Sequence, residues 1–205
     1  VAALLPEAKM AGAMCFLCSN RTGPGHIHHI DYGKVTLGVH SEGAAGLLDR
    51  VAADLGAAGV PVERIADLMT GRWKKLVWNI PYNGLSVILR ARTDQLTADA
   101  ASSRLTAALM DEVIDAARAC GCDVDRAFGA AMRETTARMK PYKTSMMLDF
   151  EAGRPLEVEY LYRRPLQIAA AACAAMPRTK VLCEELEFID AGRVNCPPTG
   201  AKEPD

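Results

Sequence analysis

The stretch Arg72–Asn83, RWKKLVWNIPYN, lies just past the point where the pattern of the chain turns from mixed to helical. It falls inside a long helix predicted from about Asp67 towards Leu89. Lys75, Asn79 and Asn83 stand four residues apart, so on an α-helix successive members are turned by about 40° and all three share one broad face. A cation and two carboxamides in a row can grip a small oxyacid: the lysine brings positive charge and a proton, and each asparagine a donor and an acceptor. Read alone, the row is better explained by a solvated polar face with Lys74 and Lys75 pointing outward. Pro81, between the two asparagines, removes the amide that would bond the Val77 carbonyl and is expected to kink the helix.

Residues 1–65 read as strands around one helix. Met10–Cys18 is a candidate strand, and Thr22-Gly23-Pro24-Gly25 is turn chemistry. Ile27–Ile30 and Lys34–Leu37 are short strands about a hairpin turn expected at Asp31-Tyr32-Gly33. Ala44–Ala58 has helical spacing, with Leu47, Leu48, Val51 and Leu55 on one face and Gly59 as its stop. Val60–Ile65 is one more strand. From Ala66 onward helices follow the first long one: Ala98–Cys120, with Leu105, Leu109, Val113 and Ala117 as its stripe and Gly121 as its end; Asp125–Met139, bounded by Pro141; Glu157–Met176, bent at Pro165; and Arg178–Ala191. There is no internal repeat. The expected fold is an α/β remnant at 1–65, an all-α domain at 66–192 and a polar, Pro-rich tail from 193 that is expected to be disordered. The start at Val1, inside an apolar pattern and without an initiator Met, reads as a piece of a longer protein.

The chain has 205 residues, 24 Lys+Arg and 25 Asp+Glu, a formal net charge of -1, 50% hydrophobic and 24% charged residues. That balance excludes wholesale disorder, and the near-zero charge gives no broad footprint for nucleic acid. The longest apolar run, Ile168–Met176, is nine residues of mostly alanine, against roughly twenty for a membrane-spanning helix, so no membrane partner is expected. Seven cysteines without regular spacing or a signal sequence point to reduced thiols and a cytoplasmic location. Cys15 and Cys18 form a C-x-x-C with His26, His28 and His29 soon after, which suggests zinc. On a strand, however, positions three apart face opposite ways, so no metal site is expected.

An α/β front with a helical back suggests a nucleotide-binding dehydrogenase, whose fingerprint is G-x-G-x-x-G. Gly23-Pro24-Gly25 comes nearest, but His28 stands at the third glycine, no helix follows, and Pro24 removes an amide that would face a pyrophosphate. The phosphate-binding loop is absent from these residues, and cofactor-binding residues stay unassigned. A second informative segment is Lys143–Glu159, KTSMMLDFEAGRPLEVE. Ser145 offers a hydroxyl in an expected loop, Asp149 is placed to cap or brace that loop, and Glu157 opens a helix, where a carboxylate favours the dipole. Capping alone would explain Glu157.

Together the two segments resemble the ketopantoate reductase (2-dehydropantoate 2-reductase) family. The matching residues are Lys75, Asn79 and Asn83; Ser145-Met146 and Asp149; and Gly153-Arg154-Pro155-Leu156-Glu157-Val158-Glu159-Tyr160. Glu112-Val113 and Ala116-Ala117 leading to Gly121 fit the family's middle helix. Pro24-Gly25, His29 and Gly38 fit the close of its nucleotide-binding half. The resemblance covers nearly the whole chain. It implies the end of a Rossmann-type domain followed by a helical, 6-phosphogluconate-dehydrogenase-like domain. It also implies reduction of ketopantoate to pantoate with NADPH as cofactor, in pantothenate and coenzyme A synthesis. Lys75 would be the proton donor to the keto oxygen, and Glu157 would bind the substrate hydroxyl and hold the lysine. Asn79 and Asn83 would orient the substrate, and Ser145 would bind its carboxylate. Without the glycine loop, this chain alone is not expected to bind NADPH.

Some positions depart from the family pattern. Gly84 stands where a proline usually follows the second asparagine, Thr93 where a further asparagine is sometimes found, and Leu156 in place of a threonine. Tyr162-Arg163-Arg164 replaces a glycine soon after the glutamate. These changes leave open a reductase of a different 2-oxo acid on the same scaffold. A non-catalytic helical module is the other alternative. The alanine-rich run Ala169–Ala175 would suit a homodimer through the helical domain.

Overall fold

The computed structural model describes residues 4, 5 and 7–194. The turn chemistry at Thr22–Gly25 sets its first feature. Gly25, at φ 74°, closes a tight turn between β1 (Ala11–Gly23) and β2 (His26–Val39), which pair antiparallel from Ala11 opposite Val39 to Gly23 opposite His26. The expected hairpin turn at Asp31-Tyr32-Gly33 is instead a bulge within β2. Phe16 pairs with Lys34 and Leu17 with Tyr32, so Gly33 has no counterpart on β1. Tyr32 and Gly33 take φ values of 61° and 141°. The bulge is held by the Tyr32 amide donating to Asp31 Oδ1 at 2.9 Å and by His29 Nε2, which reaches the Asp31 and Tyr32 carbonyls at 3.1 and 2.6 Å. Turn and bulge ask for the same residues, ones that tolerate positive φ, which is why Asp-Tyr-Gly reads as either.

β2 continues through α1 (Ala45–Ala57) into β3 (Val62–Ile65), which pairs parallel to β2 from Val35 opposite Val62 to Gly38 opposite Ile65. This crossover is the β–α–β element of the first unit, and the sheet order is β1-β2-β3. Leu37 and Leu48 are buried there, and Gly59 at φ 77° follows the end of α1. Cys15 is exposed and Cys18 buried, so alternation along β1 does turn the two thiols to opposite sides. The chain divides into two compact units, the first ending at Arg72 and the second beginning at Trp73.

The remaining elements are helical: α2 (Leu68–Leu89), α3 (Thr93–Ala98), α4 (Ala100–Ala119), α5 (Phe128–Arg138), α6 (Ser145–Glu151), a π-helical turn (Glu159–Arg163), α7 (Arg164–Ala171) and α8 (Pro177–Val194). α4 packs on α5, α7 and α8 around Leu109, Met110, Ile114 and Leu186, all buried. The helix expected over 98–120 is preceded by the short α3. Asp99 separates the two and caps α4, accepting from the Ala101 and Ser102 amides at 2.9 and 2.8 Å. The helix expected over 157–176 ends at Ala171, and Cys173 takes φ 59°. α8 extends through Val194, so 193 and 194 are helical, and the tail expected beyond lies outside the described residues. Among the described residues no helix is long and apolar enough to cross a membrane.

Candidate active site

α2 begins where Asp67 accepts the amides of Met69 and Thr70 and the Thr70 hydroxyl. Lys75, Asn79 and Asn83 all lie within it, and the helix continues through Pro81. Burial grows along the row: Lys75 and Asn79 are half-buried, and Asn83 is buried. Among the described residues Asn83 Oδ1 has no hydrogen-bond partner. A buried acceptor without a donor is costly, and such an atom calls for an explanation.

Ser145 lies not in a loop but at the first position of α6, and it is exposed. Thr144 caps this helix, its hydroxyl accepting the Met147 amide at 3.2 Å. A threonine before an apolar run is a helix-start signal, legible in KTSMML and missed. Asp149 does not brace the start of α6. Its carboxylate takes the Arg154 guanidinium at 2.7 Å, and its carbonyl the Arg154 amide at 2.9 Å, closing the turn that follows the helix. Glu157 is exposed and stands directly before its helix, its carbonyl accepting the Leu161 amide at 3.2 Å.

Two buried hydrogen bonds fasten these separate segments to α2. Ser86, one turn beyond Asn83, donates to the Asn83 carbonyl at 2.9 Å and lies 2.7 Å from the Thr144 hydroxyl. The Asn83 end of α2 is thereby joined to the start of α6, which carries Ser145. Tyr162, five residues after Glu157, donates from its phenol to the Ile80 carbonyl at 2.9 Å. That carbonyl lies between Asn79 and Asn83. α8 supports the same region: Asp190 Oδ1 accepts the Leu156 amide at 2.9 Å. Glu112 in turn holds the start of α8, its carboxylate accepting the Arg178 and Thr179 amides, both at 3.0 Å, with the Thr179 hydroxyl at 3.1 Å. Thr93 is spent on structure, binding the Tyr142 carbonyl through both its amide and its hydroxyl. Ser86, Thr144 and Asp190 carry no sequence signal of this role, because each bond joins segments far apart in the chain.

A dinucleotide's pyrophosphate needs glycine-lined amides opening a helix. Among the described residues Gly23-Pro24-Gly25 is the β1–β2 turn and opens a strand, so these residues do not fit that group. No group of three or more His, Cys, Asp or Glu placed to hold a metal occurs among them.

The architecture is a Rossmann-like β–α remnant followed by a helical bundle, with a lysine and two asparagines on the first helix of the bundle. Residues 67–190 match the family described as Ketopantoate reductase PanE/ApbA C terminal, and the chain belongs to this family. A 2-dehydropantoate 2-reductase of Nostoc sp. is 45% identical over 195 residues, covering 93% of this chain and 61% of that protein. The crystal structure of 2-dehydropantoate 2-reductase from Geobacter metallireducens superposes with a TM-score of 0.87 at 39% identity, covering 91% of this chain and 63% of that one. A D-mandelate dehydrogenase, solved with NADH and anilino(oxo)acetate, shares the fold at a TM-score of 0.80 and 18% identity, over 87% of this chain and 59% of that one. The chain thus spans about three fifths of the length of these relatives.

Proposed function

We propose that the full-length protein reduces a 2-oxo acid, ketopantoate, to pantoate, with NADPH as the reductant, and so serves pantothenate and coenzyme A synthesis. The observation that carries this reading is the fastening of three segments far apart in sequence. The Ser86–Thr144 and Tyr162–Ile80 bonds bring the starts of the Ser145 and Glu157 segments onto the helix of Lys75, Asn79 and Asn83. A purely structural bundle has no need to fasten segments that carry such chemically distinct side chains to one helix. The orphaned oxygen of Asn83 adds to this, since a substrate hydroxyl would give it a donor.

In the full-length protein a bound nicotinamide would supply the hydride that the keto carbon takes. The carbonyl π pair moves to oxygen, and the Lys75 ammonium hydrogen-bonds that oxygen and passes it a proton. The charge develops only along the reaction path, so this contact favours the transition state over the ground state. Asn79 and Asn83 orient the substrate, Ser145 holds its carboxylate, and Glu157 takes its hydroxyl and steadies Lys75. Replacing Lys75 by alanine should lower turnover in the full-length protein by about a thousandfold, with folding intact. An active K75A enzyme would remove Lys75 from the role of proton donor.

A second reading keeps the chemistry and changes the acid. It is favoured by Tyr162 and Leu156, buried bulk where the family pattern has smaller or polar residues. The test is oxidation of NADPH and of NADH by the full-length protein with ketopantoate beside a panel of other 2-oxo acids. Preference for ketopantoate with NADPH supports the first reading. Preference for another acid moves the substrate, and turnover of none refutes both.

A further inference from the structure

We propose that Tyr162 is a positioning residue that sets the helix bearing Asn79 and Asn83 against the segment that begins at Glu157, through a slot kept open by Gly84. The inference rests on the site described under Proposed function. Tyr162 is completely buried, and its phenol is bonded to the Ile80 carbonyl, 82 positions away in sequence. Gly84 lies one turn beyond Ile80 and directly after Asn83. A Cβ on residue 84 would stand 2.7 Å from Tyr162 Oη and 2.7 Å from Leu182 Cδ2, closer than real Cβ atoms come. Only glycine leaves room for the phenol to lie against α2 here.

The ring is aimed by the π-helical turn Glu159–Arg163. Pro165 has no amide hydrogen for the usual bond to Leu161, and the Arg164 amide reaches back five residues to the Glu159 carbonyl. While Tyr162 points inward, Arg163 is held at the surface by Glu187 of α8 at 2.5 Å and by Glu159 at 3.5 Å. The turn is thus pinned from both sides. Burial pushes the phenol well above its usual range, so it stays a protonated donor near neutral pH.

The test compares Tyr162→Phe, Gly84→Ala and the double variant in the full-length protein. Tyr162→Phe keeps the ring and loses one hydrogen bond. The KM for the 2-oxo acid should rise by about tenfold, the size of one such bond, with kcat and the KM for the nicotinamide cofactor changed far less. Gly84→Ala should be more severe alone than in the Tyr162→Phe background, where the missing oxygen gives its methyl space. A purely structural tyrosine would change the melting temperature and leave these ratios alone. An unchanged KM in Tyr162→Phe, or effects of the two substitutions that simply multiply, would overturn the proposal. If the wild-type protein turns over no 2-oxo acid, the functional reading fails, and the side-chain amide resonances of Asn79 and Asn83 decide the positioning. Shifts at both in Tyr162→Phe support it, and unchanged resonances refute it.

Discussion

The unit ending at Arg72 and the unit beginning at Trp73 use burial differently. In the first, the buried residues are few and apolar, among them Leu37, Ala44, Leu48 and Leu68, and the far end of the hairpin exposes Leu17 and Ile27. Its ion pairs, such as Lys34 with Glu63, are about half-exposed. In the second, a dense apolar core also encloses Asn83, Ser86, Thr93, Glu112, Thr144 and Thr179. All buried polar residues among those described fall in this unit. A buried polar bond has one good geometry and a high cost for losing it, so it fixes how segments lie more firmly than apolar contact does. The candidate site is found where that kind of bond is concentrated.

The contrast is sharpest for one substitution made in both units. Leu186→Ala, at a fully buried position, should cost about 3–4 kcal/mol in urea unfolding, whereas Leu17→Ala, about half-exposed on the hairpin, should cost about 0.5 kcal/mol or less. Equal costs would mean that the hairpin is as tightly packed as the bundle. Carboxylates should divide the same way. Glu112→Ala strips the start of α8 of its acceptor and should cost about 3 kcal/mol. Glu63→Ala at the surface should cost no more than about 1 kcal/mol. Ser86→Ala, which leaves Thr144 without its neighbour, should cost about 1–2 kcal/mol and raise the KM for the substrate acid. If stability falls and KM does not move, the Ser86–Thr144 bond serves the bundle and not the site.

The same contrast explains what the sequence discloses. Lys75, Asn79 and Asn83 could be read as one face because a single helix holds them and its period fixes the rest. The expected change of pattern near residue 66 lies close to the start of α2 at Leu68, whereas the compact units divide between Arg72 and Trp73. The bulge at Tyr32 was not legible, because a turn and a bulge recruit the same residues. α6 was overlooked since seven residues give too little period to detect, although Thr144 signals its start. The π-helical turn inserts one residue in a helical register without changing composition. The bonds that fasten the candidate segments to α2 join positions 58 and 82 apart in the chain, and a pattern of periods within segments says nothing about such pairs.

A further expected effect lies where α2 begins. Asp67 is exposed, and the Thr70 hydroxyl, with help from the Met69 and Thr70 amides, holds its carboxyl below the usual carboxylate range. Asp67→Ala should cost about 1 kcal/mol as a lost helix cap. The pH dependence follows from the sign of the shift. A carboxylate with a lowered folded-state value stabilises the fold above its unfolded value, and that contribution fades as pH falls through the folded one. Asparagine can still cap but cannot titrate. The stability difference between wild type and Asp67→Asn should therefore be flat between about pH 5 and 8 and shift against the wild type below about pH 4. A difference that stays constant down to about pH 3 would show that the Asp67 charge takes no part in starting the helix that carries the site.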